Sequence, residues 1–490
     1  MQKNIQHIVV LMLENRSFDS MLGKLYPKSD QFNGLSGEES NTFVKDGVSR
    51  EIKVWNEYNP SGPQLGPMNI PNPDPGEKFT DINEQLFGSN SPPANTEPLM
   101  SGFAQNYFQF SSPVEPDPVM HYYVPEQLSI LSKLARDYAV CDAWFASSPC
   151  QTWPNRIFLH TATAGGYENN SPPKFPYLMP TIFTRFNKLR LENGWKIYYH
   201  DFPHATILSD LWPHTDQFHH FYRFKEDATN GTLPSYSFIE PRYYTDIDFP
   251  NDQHPPHDVR FGEALIADIY NTLQGSPHWK NTLFVIIYDE HGGCYDHVPP
   301  PKAVPPEDSR SNQPFAFDRY GVRVPAVVIS PYIKAGTVFR APDSSQPFDH
   351  TSIIATIRQC FDLGDCLTER DRNAPSLLSL LTLPEDQLNI GAQLPMPALE
   401  KPMDVFFKAP EKLIQDLSDL QKSLHVAAAH LPNLIGLTSN LERVELAQSA
   451  TQNLVATGPI TPPLHNTLKE ALPYIAEKLR AFLSPLTKNG

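Results

Sequence analysis

No stretch of this 490-residue chain is apolar over the ~18–20 residues that a membrane-spanning helix needs, which excludes a transmembrane helix. No charged leader with an apolar centre precedes the first strand-like run, and no internal repeat is visible. Cysteine is scarce: five residues, at 141, 150, 294, 360 and 366, are too few and too scattered for a disulfide scaffold. Free thiols in a reducing compartment are expected, with a single bridge between Cys360 and Cys366 left open. Basic residues are outnumbered, 39 Lys and Arg against 55 Asp and Glu, giving a net charge of −16. That balance argues against nucleic acid and against anionic membranes as partners, but not against zwitterionic lipid. The expected location is the cytoplasm, or outside the cell by a leaderless route.

Proline is abundant instead, 50 of 490 residues, or about twice the usual share. It concentrates at 59–75, 92–125, 171–180 and 299–314, which points to long ordered loops. A hydrophobic content of 40% supports a large core. The stretch 281–298, NTLFVIIYDEHGGCYDHV, organises the chain. Its apolar run Leu283 to Tyr288 shows no alternation, as in a strand buried on both faces of a parallel sheet, and it runs straight into Asp289 and Glu290. Ligand sites in such sheets lie beyond the carboxyl ends of the strands. IQHIVVLML (5–13) is a second run of this kind and ends on Glu14 and Asn15.

Further elements follow the same logic. Helical spacing covers 127–138, 262–273 and 351–360, and strands are expected at 139–146, from Trp195, and at 322–331. Thr152 stands in a turn before a helix expected from Ile157, where a nucleophile would sit close to helix N–H groups; a capping or turn residue looks the same in sequence. Histidines recur in loops, at His200, His204, His254, His257, His291 and His297. Residues 24–125 read as long loops over the mouth of the sheet within a catalytic domain of 1–375. A linker is expected at 376–399 and a helical region at 400–490, where Leu413, Leu417, Leu420 and Leu424 mark one face.

Acids and an amide at two strand ends, a hydroxyl at a turn and several histidines suit hydrolysis of a phosphate ester. A divalent cation lowers the pKa of a coordinated hydroxyl, and histidines contact phosphoryl oxygens or protonate the leaving group.

Four segments then carry a resemblance: ENRSFDSMLG (14–23), TWPNR (152–156), DEHGGCYDHV (289–298) and GVRVPAVVISP (321–331). In this order they resemble the signature segments of the bacterial and plant phosphoesterase family, which contains phospholipases C and acid phosphatases. The resemblance implies an α/β fold, an alkaline-phosphatase-like α/β/α sandwich with a mainly parallel central sheet, followed here by a small helical C-terminal addition. It also implies Thr152 as a nucleophile that forms a phospho-threonine, with Glu14, Asn15, Thr152, Asp289 and Glu290 as metal ligands. His254 and His200 fall where the family places phosphate-contacting and proton-donating histidines. Glu77 replaces a histidine of the phosphatases and plant enzymes and, with His257 and His297, is a candidate for a second metal or a headgroup site. The implied activity is a zinc-dependent phospholipase C acting on phosphatidylcholine-type lipid at a membrane surface, with the number of ions open. The alternatives are a broad-specificity acid phosphatase and, more distantly, a non-catalytic lipid-binding protein.

Overall fold

The two-sided apolar runs pair with each other at the centre of the molecule. In the computed structural model, which describes residues 4–59, 66–93, 95–111, 115–170, 177–189, 193–244, 249–306, 315–342, 345–397, 399, 419–457 and 467–486, the main sheet has eight strands. These are β1 (His7–Leu13), β2 (Ala139–Cys141), β3 (Trp195–Tyr199), β4 (Phe218–His220), β5 (Tyr236–Ile239), β6 (Thr282–Tyr288), β7 (Ala326–Ile329) and β8 (Thr337–Phe339). Their order across the sheet is β8-β2-β7-β6-β1-β5-β3-β4, and β7 alone runs against the others. Every residue of β1 and β6 is buried, which requires cover on both faces.

Helices supply that cover in two packed groups. Ser129–Asp137 and Phe221–Thr229 each pack on Val259–Gln274, while Ile182–Lys188 and Thr351–Phe361 pack on Thr152–Thr161. From the second group, His160 and Phe183 lie against Phe238 and Tyr236 of β5. This is the expected α/β class, with a mainly parallel sheet between helices. The helix expected from Ile157 begins earlier, at Thr152, because Pro154 lies in its first turn, where the missing N–H costs nothing.

The long excursion over the mouth is more structured than its composition suggests. It holds a two-stranded ribbon (Ser40–Lys45 with Val48–Lys53) and the helices Phe79–Phe87 and Phe103–Phe110. Leu35, Ile82, Leu86, Met100, Phe103 and Tyr107 give it an apolar cluster of its own. The stretch expected to be a linker is tied to the main domain: Asn389 N donates to Pro331 O (2.7 Å), Asn389 Nδ2 to Asp137 O (2.7 Å) and Trp279 Nε1 to Ile390 O (2.8 Å).

The C-terminal helices Asp419–His430, Asn440–Thr457 and Leu468–Phe482 are present as expected; Leu413 and Leu417 lie outside the described residues. The middle helix packs on the segment Ser209–Gln217, and Phe482 meets Trp212 edge to face, with ring centroids 6.3 Å apart. All five cysteines are free thiols, so the Cys360–Cys366 bridge is not formed.

Candidate active site

Register brings together the two strand ends that carry the candidate ligands. β1 and β6 pair in parallel with Leu13 opposite Tyr288, so Glu14–Asn15 and Asp289–Glu290 leave the sheet side by side. Asn15 takes a left-handed backbone conformation (φ 52°), and its N–H donates to Asp289 Oδ1 at 3.0 Å. Gly292 (φ 60°) passes so close beneath it that a Cβ there would run into the Asn15 carbonyl oxygen. The Gly292 N–H in turn holds Glu290 Oε2 at 2.8 Å.

Thr152 is set by the turn before its helix. Asn155 accepts from Ser148 N (3.0 Å) and donates to Cys150 O (2.8 Å), while Asn170 Oδ1 caps the N–H of Trp153 (2.8 Å). The fully buried Thr152 hydroxyl donates to Asn15 Oδ1 at 3.4 Å. It lies at the positive end of a ten-residue helix, where an anion is favoured.

One helical turn on, Arg156 reaches the same place from the same face. It forms an ion pair with Glu14, approaches Asp289 Oδ2 at 3.2 Å and Glu240 Oε2 at 3.9 Å, and donates to Met12 O at 3.2 Å. One guanidinium faces three carboxylates, all fully buried. Burial pushes Glu14 well above the usual carboxylate range; Arg156 opposes this, while Asp289 and Asp252 reinforce it. Asp289 is pushed up to about 7, first by burial, with Arg156 again opposing and Glu290 adding to the rise. Among the described residues, Glu14 Oε2, Glu290 Oε1 and Asp252 Oδ2 are buried with no hydrogen-bond partner. A surplus of buried, under-partnered carboxylate oxygens is what a divalent cation relieves, so this donor set fits one.

The Asn15 amide joins this group to a second. Its Nδ2 donates to Glu77 Oε1 (2.6 Å) and to His254 Nε2 (3.0 Å). Glu77 is buried; burial drives its carboxyl well above the ordinary value, and the charges of Asp74, Glu290 and Asp289 drive it further. The other expected members do not join Glu77. His257 pairs with Asp252 Oδ1 at 2.7 Å, and His297 lies in a separate network with Asp19 (2.6 Å) and Arg323. His200 bonds the Glu240 carbonyl at 2.9 Å and stacks on Phe221, with no described contact to Thr152, Asn15 or Asp289. His204 lies beside Glu14 instead, its Nδ1 3.8 Å from Glu14 Oε1 and its ring stacked on Tyr243.

Several residues of the site went unassigned in the sequence. Arg156 stands inside TWPNR, four residues after Thr152, and that spacing was the available signal. Glu240 directly follows β5, as the other acids follow their strands. Nothing local marked Asp252.

The model of the phosphoesterase family matches residues 5–364, a span that contains all four segments carrying the resemblance. The chain belongs to the phosphoesterase family. It is thus a phosphoric ester hydrolase, as its segments implied. Among curated proteins it is 42% identical over 389 residues to non-specific phospholipase C1 of Arabidopsis thaliana, covering 76% of this chain and 69% of that one. To non-specific phospholipase C3 of the same plant it is 38% identical over 446 residues, covering 87% and 82%. With the non-hemolytic phospholipase C of Pseudomonas aeruginosa it shares 25% identity over 412 residues, covering 73% and 54%. Among solved structures, an alkaline phosphatase superfamily protein from Vibrio parahaemolyticus aligns over 50% of this chain and 63% of its own, with 12% identity and a TM-score of 0.28.

Proposed function

We propose that this phosphoesterase is a phospholipase C that cleaves phosphatidylcholine-type lipids to diacylglycerol and a phosphorylated headgroup through a phospho-threonine at Thr152. The observation that carries the reading is the Thr152 hydroxyl, buried at a helix N-terminus and bonded to Asn15, which is in turn bonded to Asp289. The names of the plant and bacterial relatives favour phospholipid over phosphomonoester as substrate.

Thr152 Oγ attacks phosphorus, and the bond from phosphorus to the glycerol oxygen breaks; that oxygen leaves with the bonding pair and takes up a proton. Water then attacks the phospho-threonine, the P–Oγ bond breaks, and the Thr152 hydroxyl is restored. Glu14, Asn15, Thr152, Asp289 and Glu290 are the residues that would hold a divalent cation. Bound there, it would lower the pKa of the Thr152 hydroxyl and withdraw charge from a phosphoryl oxygen. Arg156 holds Glu14 and Asp289 together, and the Thr152 hydroxyl lies at the positive end of its helix, which favours the developing negative charge.

The experiment is to incubate chelated, purified protein with phosphatidylcholine and with p-nitrophenyl phosphate, with and without added Zn2+. Release of diacylglycerol and phosphocholine only when the ion is restored supports the reading. Turnover of p-nitrophenyl phosphate with phosphatidylcholine left intact contradicts it.

A further inference from the structure

A compact histidine–carboxylate group adjoins Asn15 without belonging to the ligand set above. Asp74 and Glu77 come from the DPGE turn ahead of the helix Phe79–Phe87, and His254 comes from the loop ahead of Val259–Gln274. Each offers one ligand atom, and the three atoms lie within 4.8 Å of one another. His254 Nε2 is 3.6 Å from Glu77 Oε1, and its Nδ1 is 3.7 Å from Asp74 Oδ1.

The tautomer of His254 is set by its backbone. Nδ1 lies 2.5 Å from the Pro255 carbonyl oxygen, which can only accept, so the proton is on Nδ1 and Nε2 presents a lone pair. A metal-ligating histidine is typically held this way, its second nitrogen donating to a backbone carbonyl. The lone pair faces the Glu77 carboxylate, and the hydrogen-bond donor between them is the Asn15 amide. Nearby charge makes the arrangement worse: Asp74, Glu290 and Asp289 all act on Glu77 as like charges. An imidazole lone pair and two carboxylates brought within this distance, with Glu77 and His254 buried and Asp74 at the rim, form an arrangement that a cation relieves.

We propose that Asp74, Glu77 and His254 hold a second divalent cation, beside the one assigned to the Asn15 and Asp289 set. This extends the reading above, on which that first cation rests. One imidazole nitrogen with two carboxylates is a zinc-type donor set, and three protein ligands leave a position open for a substrate oxygen. Held by Asp74, Glu77 and His254, such an ion would supply further positive charge to a phosphoryl group bound at Thr152.

The test counts ions. Full-length protein is stripped with chelator, reloaded with Zn2+, desalted and measured by elemental analysis. The wild type is expected to carry two equivalents, and Glu77→Gln and Asp74→Asn one each, with near-ultraviolet circular dichroism confirming that both variants are folded. In the wild type, zinc X-ray absorption should show a second zinc within ~4 Å of the first. One equivalent in the wild type, or two retained in both variants, overturns the proposal. The two readings fail separately. A chain that loads two ions yet leaves phosphatidylcholine intact refutes the proposed activity alone, whereas one that cleaves the lipid with a single ion refutes only the second site.

Discussion

Arg156 and Thr152 share one helix face, and the chemistry divides between them. Arg156 is the single cation bonded to both Glu14 and Asp289 among the described residues, and it is itself fully buried. Removing one member of a buried charge group leaves the others unpaired, at a cost of about 3–5 kcal/mol. Arg156→Met should therefore lower the urea-unfolding stability of metal-free protein by that amount. Saturating Zn2+ should recover part of the loss, since an added cation replaces the missing positive charge; no recovery would mean that the acids do not bind the ion. Thr152→Ala makes the opposite separation. It removes one hydroxyl that donates a single long hydrogen bond, so stability should hold while kcat for phosphatidylcholine falls ~10³-fold or more. Thr152→Ser should keep part of the activity. His200→Gln should leave turnover nearly unchanged, because the described contacts of His200 are with Glu240 O, His220 and Phe221.

At the scale of elements, the site is a consequence of where strands stop. β1 and β6 were legible because a run buried on both faces carries no alternation, and each ends abruptly in acid or amide. Their pairing in register made neighbours of the two pairs of candidate ligands. The Arg156–Asp289 contact was not legible, since it joins residues 133 positions apart and depends on how the Thr152 helix is rotated. The ribbon and the helix Phe103–Phe110 were hidden for a different reason: each is short, and the apolar cluster of this region draws on residues scattered over many turns. His200 and His204, four residues apart, could not be told apart until the turn after β3 showed which one meets Glu14. The loop after β6 yields a test of its own. A side chain at Gly292 would meet the Asn15 carbonyl oxygen, whereas one at Gly336, also at positive φ (72°), would meet nothing within 4 Å. Gly336→Ala should cost about 1–2 kcal/mol for its backbone conformation alone. Gly292→Ala should cost clearly more and should also weaken Zn2+ binding, as it displaces Asn15. Equal losses of stability with unchanged ion affinity would show that the close packing under Asn15 does not position it.

Across the whole molecule, many ionisable groups are buried, and their shifts act on stability in opposite directions. Burial lowers His160 to about 3, and Arg156 adds to the effect; its ring is packed against Phe183 and Phe238. Above pH 6.5 this histidine is neutral whether folded or unfolded and does not contribute. As pH falls below 6.5, the unfolded chain takes up a proton that the folded one refuses, so stability declines by about 1.4 kcal/mol per pH unit until about pH 3. Burial also raises Glu263 to about 7, against the pull of the N–H groups of Ile130 and Leu131, which its carboxylate accepts. Here the sign is reversed. Above pH 7 the folded chain bears the full cost of a buried charge, and acidification from 7 toward 4.5 relieves it at about the same rate per unit. Between pH 6.5 and 4.5 the two groups therefore nearly cancel, which conceals each of them in the wild-type pH profile. Single substitutions should reveal them. In urea unfolding of metal-free protein at pH 6.5, 5.5 and 4.5, stability of His160→Phe should fall less steeply than that of wild type on acidification, by about 1.4 kcal/mol per unit. Glu263→Gln should fall more steeply by a similar amount. Parallel profiles for all three proteins would mean that neither group keeps its shifted pKa in the folded chain.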